Sequence, residues 1–88
     1  MRQWLLAVVI SLLAGSAIAR PVCTNEPKSR WLSADDMKAK IRAHGFRFNA
    51  LKVSSGNCYE IYGRNKAGQR VEVYFHPVTG AIVEEHKD

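Results

Sequence analysis

The sequence predicts an α+β fold: one N-terminal α-helix packed on a three- to four-stranded antiparallel sheet running as a meander. Two hydrophobic periods carry this reading. Apolar residues recur at three- and four-residue spacing between positions 34 and 44, and at nearly every second position from 46 onward. The third observation concerns connections. Each strand-like run is joined to the next by a turn cluster of about four residues, which suits a hairpin and is too short for a parallel crossover.

The helix is signalled at both ends. Ser33 is a good N-cap, with Asp36 three residues on as its capping-box partner, and Asp35 and Asp36 place negative charge on the positive end of the helix dipole. Leu32 and Met37 can staple the first turn. Ala34, Met37 and Ile41 share one face, Lys38, Lys40 and Arg42 point elsewhere, and Gly45 provides the stop, so the helix should run from about Ala34 to His44.

After Gly45 the period becomes two. Phe46 and Phe48, then Leu51 and Val53, form a first strand whose phase slips once at Asn49–Ala50, the mark of a bulge. Ser54-Ser55-Gly56-Asn57 turns into a second strand, Cys58 to Arg64. Asn65-Lys66-Ala67-Gly68 turns into a third, Gln69 to His76, where Val71, Val73 and Phe75 alternate strictly with Arg70, Glu72 and Tyr74. Pro77-Val78-Thr79-Gly80 returns the chain into a short last strand from Ala81 to about Glu85. The helix should cover one sheet face with Trp31, Leu32, Met37, Ile41, Phe46, Phe48, Leu51, Val53, Tyr59, Ile61, Val71, Val73, Phe75 and Ile82 or Val83. The other face is left to solvent or a partner.

The chain has 88 residues with a formal net charge of +5. Residues 1–19 read as a signal peptide: Arg2 as the basic start, an apolar run from Trp4 to Leu13, and Ala17-Ile18-Ala19 as the small-residue site, with cleavage expected between Ala19 and Arg20. That run is shorter than the roughly 20 residues needed to span a bilayer, so no stable membrane insertion is expected after cleavage. The product should be periplasmic or secreted. Residues 20–30 are polar, with Pro21 and Pro27, and read as an extended arm before a domain at 31–86. An even cysteine count in a small exported domain indicates a disulfide, and Cys23 and Cys58 allow only one pairing. Its loop closure should contribute roughly 3–4 kcal/mol.

Three stretches, together with the element order, resemble the PepSY domain, the module found in propeptides of thermolysin-like metallopeptidases and in many stand-alone exported bacterial proteins. They are Trp31-Leu32-Ser33-Ala34-Asp35-Asp36-Met37-Lys38, Gly56-Asn57-Cys58-Tyr59-Glu60-Ile61-Tyr62, and Val71-Glu72-Val73-Tyr74-Phe75-His76-Pro77-Val78-Thr79-Gly80-Ala81-Ile82-Val83. The resemblance spans Ser29 to Glu85 and departs from the family at His76, where an acid commonly precedes the proline. It implies a helix on a three- or four-stranded sheet and a role in holding or inhibiting a peptidase or another exported partner. It brings no catalytic residue and no cofactor.

The residues themselves point the same way. A chain this short cannot hold two lobes around a cleft, a nucleotide-binding βαβ pair or a repeat array. His44 suits a helix end, while His76 and a tail-borne His86 would stand roughly 17 Å apart at strand rise, too far to share a metal. Ser54 and Ser55 have no histidine near in sequence, and the pairs Asp35–Asp36 and Glu84–Glu85 are explained by capping and by solvation. No catalytic or metal-binding residue is expected, and the compartment argues against nucleic acid. Two binding surfaces stay open. One is the outward strand face, with Tyr62, Tyr74, Arg64 and Arg70 between Glu60 and Glu72, suited to protein or peptide, and an unpaired edge strand could accept a partner's extended segment beside it. The other is a basic patch of Lys38, Lys40, Arg42 and Arg47, suited to anionic polymer or lipid.

Overall fold

The computed structural model describes residues 20–88; the expected signal peptide and its cleavage site at Ala19 lie outside or at the margin of these residues. An irregular arm leads into a single 3-10 turn, Lys28–Arg30, and then into α1, Ala34–Ala43. Four strands follow: β1 (Arg47–Val53), β2 (Tyr59–Arg64), β3 (Arg70–Phe75) and β4 (Ile82–Lys87). They form one sheet in the order β1-β2-β3-β4 with every neighbour antiparallel. The helix is the first long element but not the first element, because the arm and its turn precede it.

The capping signals act as their chemistry requires. The Ser33 hydroxyl accepts a hydrogen bond from the Asp36 amide at 3.1 Å, satisfying one of the free donors of the first turn. At the other end His44 closes the helix and Gly45 takes φ 95°, the left-handed conformation that glycine adopts without a Cβ clash. Met37 and Ile41 are fully buried against Phe46, Tyr59, Ile61, Val71, Val73 and Phe75, with Trp31, Leu32, Phe48 and Leu51 packed around them. Burying each of the large aliphatic side chains contributes about 1.5–3 kcal/mol.

Two expected core positions fall outside, Val53 and the one assigned to Ile82 or Val83. Val53, Ile82 and Val83 are 46%, 39% and 40% exposed. A ten-residue helix is only about 15 Å long, and it covers the central strands while the end of β1 and the outer strand β4 project past it. The phase slip in β1 is a register shift between Phe48 and Leu51. A second shift lies between Tyr74 and Phe75, and β4 runs on to Lys87, so His86 lies in a strand and not in a terminal tail.

The Cys23–Cys58 disulfide is present, with a sequence separation of 35. It draws the arm toward the face of the sheet opposite the helix. The Cys23 amide donates to the Gly56 carbonyl at 2.9 Å, and the Trp31 indole donates to the Glu26 carbonyl at 3.0 Å while its ring meets Tyr59 edge-on at 5.5 Å. The Tyr59 hydroxyl in turn donates to the Leu32 carbonyl at 2.8 Å. The arm is thus tied at Cys23 to the turn before β2, and Trp31 and Leu32, which follow it, are tied to Tyr59 of β2.

Candidate functional site

Alternation along the strands sends Glu60, Tyr62, Arg64, Arg70, Glu72 and Tyr74 to the face away from α1, and the register sorts them into three rungs. Nearest the disulfide, Lys52 pairs with Glu60, Glu60 with Tyr74 and Tyr74 with Glu84. In the middle, Tyr62 pairs with Glu72 and Glu72 with His86. At the far end Arg47 pairs with Arg64 and Arg64 with Arg70. Successive rungs on one face are about 6.6 Å apart. The face therefore changes from acidic to basic along the strand direction.

Hydrogen bonding ties the first two rungs into one unit. The Tyr74 hydroxyl donates to Glu72 Oε2 at 2.7 Å, and His86 Nε2 lies 2.8 Å from Glu84 Oε1 with its ring edge-on to Tyr74. Glu60 is buried, which raises its carboxyl above the ordinary range, and its hydrogen bond to Glu72 and the repulsion between the two raise it further. Burial acts on Glu72 in the same sense but is outweighed by hydrogen bonds from Glu60, Tyr74 and Tyr62 and by the charge of His86, so its carboxyl is held low. The two carboxyls therefore titrate as a coupled pair, Glu60 as the weaker acid and Glu72 as the stronger. Burial and the bond to Glu72 push the Tyr74 phenol well above its ordinary value, and the bond to Glu72 does the same at Tyr62. Arg20, on the arm, stands close enough to favour the charged forms of Glu60, Tyr62 and Tyr74.

The two tyrosines expected to offer contact area thus differ. Tyr62 is 55% exposed, with the Lys52 ammonium 5.8 Å from its ring centroid, whereas Tyr74 is 2% exposed and holds the carboxyl pair from beneath. Arg64 and Arg70 lie together with Arg47, Asn49, Tyr62 and Asp88 around a cleft of about 420 Å³. The basic patch, in contrast, is dispersed. Lys38 borders a groove of about 390 Å³ with Trp31, Leu32, Leu51 and Val53, the Lys40 stem lies over Gly80, the Arg42 guanidinium sits 5.0 Å from the Phe48 ring centroid, and Arg47 belongs to the arginine rung. Among the described residues, no group of three or more His, Cys, Asp or Glu side chains is placed to hold a metal ion.

Sequence reasoning placed Glu60 and Glu72 on this face but missed their coupling. They are diagonal neighbours, a relation set by the register of β2 and β3 and invisible to alternation alone. Glu84 and His86 were missed because the register shift between Tyr74 and Phe75 sets Glu84 opposite Tyr74 and His86 opposite Glu72, which the apolar pattern does not show. The signal for the arginine rung was present in the turn: Asn65 and Gln69 close a three-residue loop with Gly68 at φ 81°, which sets Arg64 opposite Arg70.

One helix covers one face of a four-stranded antiparallel meander and leaves the other face open. The chain belongs to the PepSY family, matching its peptidase propeptide and YPEB domain over residues 3–86. No curated protein and no solved structure matches it significantly. PepSY domains are propeptide-like or peptidase-associated regulatory modules, generally non-catalytic and typically extracellular or periplasmic. No helix among the described residues is long and apolar enough to cross a membrane.

Proposed function

We propose that the protein is an exported regulatory module that binds protein or peptide on the open face of its sheet and so restrains a peptidase. The observation that carries this is Tyr62: a large ring, 55% exposed, set on a central strand opposite Glu72 with a cleft at its side. Such a ring offers contact area at little entropic cost, because the sheet already holds it in place. Membership of a family of peptidase propeptides supports a peptidase as the partner. A disulfide and an apolar N-terminal run support export.

The rival reading, anionic polymer or lipid held by Lys38, Lys40, Arg42 and Arg47, has less support, because Lys38 and Arg42 are neighbours on one face of α1 while the Lys40 stem lies over Gly80 and Arg47 stands in the arginine rung of the sheet. Affinity capture from envelope extract on the purified, oxidised protein, run at low and high salt, separates the two. The proposal predicts a peptidase retained at high salt and lost from Tyr62→Ala. Capture of acidic polymer alone, released by salt, would overturn it.

A further inference from the structure

We propose that Arg47, Arg64 and Arg70 form a receptor for the carboxylates of an acidic peptide segment laid beside Tyr62. This deepens the peptide-binding reading and rests on it. The starting point is the register. Arg64 stands directly opposite Arg47 on one side and Arg70 on the other, and like charges directly opposite one another destabilise a sheet. Among the described residues no carboxylate comes within ion-pair distance of any of the three. The fold thus concentrates three guanidinium groups at one end of one face without neutralising them.

Orientation and space are also provided. Arg64 Nη1 donates to the Gly68 carbonyl at 2.8 Å, which fixes that side chain on the hairpin turn and leaves its remaining donors free. The cleft of about 420 Å³ beside it lies within the size range of small ligand pockets. Arginine forks match the planar, two-oxygen geometry of a carboxylate; Asp88 also lines the cleft, held there by its amide, which donates to the Arg70 carbonyl at 3.1 Å, and makes no ion pair with the three arginines.

The neighbouring rung selects a short acidic segment over a long polyanion. Glu72, held charged, lies about 6.6 Å along the strand from the arginines, with Glu84 beyond it. An extended anionic polymer or lipid surface would meet that repulsion. A peptide with two adjacent acids followed by neutral residues would not: its carboxylates fall on the arginines and its neutral part crosses Tyr62.

The test uses a fluorescent hexapeptide, two glutamates followed by four neutral apolar residues, its glutamine counterpart, and inorganic tripolyphosphate as competitor, read by anisotropy at low salt. The glutamate peptide should bind at least about tenfold more tightly than the glutamine peptide, and Arg64→Gln and Arg70→Gln should each weaken it by about that factor. Because each of these variants relieves like-charge repulsion, its melting temperature should equal or exceed that of the parent, which separates lost binding from lost folding. Equal affinity for the two peptides, indifference to both variants, no binding at all, or displacement by an equal concentration of tripolyphosphate would each overturn the proposal. If both peptides bind equally and Tyr62→Ala abolishes both, the arginine receptor fails while the peptide-binding reading stands.

Discussion

Replacing both cysteines by serine should remove the largest single contribution to stability that the domain carries. The bond closes a loop with a sequence separation of 35 residues, which in the loop-entropy treatment is worth about 4 kcal/mol at 25 °C. Small domains have a total of about 5–15 kcal/mol, so one bond carries a large share of the margin. For a domain of this size the loss corresponds to a fall in Tm of roughly 15–30 °C. Denaturant unfolding of Cys23→Ser/Cys58→Ser, followed by tryptophan fluorescence, measures it, because Trp31 packs on Tyr59 at the base of the arm. The consequence is not confined to the unfolded chain. Cys58 is fully buried and anchors the arm that carries Arg20 toward Glu60, so releasing it should admit water to the carboxyl pair and bring Glu60 back toward its ordinary value. A loss under about 1 kcal/mol would refute the reasoning, since it would mean that the arm's other bonds hold the loop closed without the covalent link.

Two further perturbations probe the sheet. Glu60→Gln keeps a neutral hydrogen-bond donor to Glu72 and removes the titration. A raised carboxyl contributes stability that is complete below its ordinary value of 4.5 and is lost as pH rises through the folded value. The parent should therefore weaken from mildly acidic toward neutral pH, the variant should lack that decline, and both should weaken as pH falls through the lowered value of Glu72; denaturant midpoints from about pH 3 to 8 decide it. Gly63→Ala places a Cβ 2.1 Å from the Arg47 carbonyl and 3.1 Å from the Phe48 side chain, which must push β1 off β2 at the bulge, so a loss of about 1–3 kcal/mol is expected in thermal unfolding.

The helix, the strand order and the disulfide were legible because each rests on local chemistry: the Ser33 cap, strict alternation at Val71, Val73 and Phe75, and a single possible cysteine pair. The bulge in β1 was legible for the same reason, since a slip at Asn49–Ala50 shows in the apolar pattern. What escaped depends on register and on footprint. Alternation says that Glu60 and Glu72 share a face but not that they are diagonal neighbours, and nothing local announces the slip at Tyr74–Phe75 that brings His86 beside Glu84. Val53 and Ile82 have the right character for a core, but a ten-residue helix does not reach them. Tyr74 was placed on the correct face, and only the arm and its bonded neighbours make it buried.

The central claim is that the open face around Tyr62 restrains a peptidase. The most direct measurement titrates the purified, oxidised protein into an envelope extract hydrolysing a fluorogenic peptide, with Tyr62→Ala alongside. The account predicts a saturable loss of hydrolysis that persists at high salt and requires at least about tenfold more of the Tyr62→Ala protein. Hydrolysis unchanged at every concentration, or an inhibition equal for parent and variant, would contradict it.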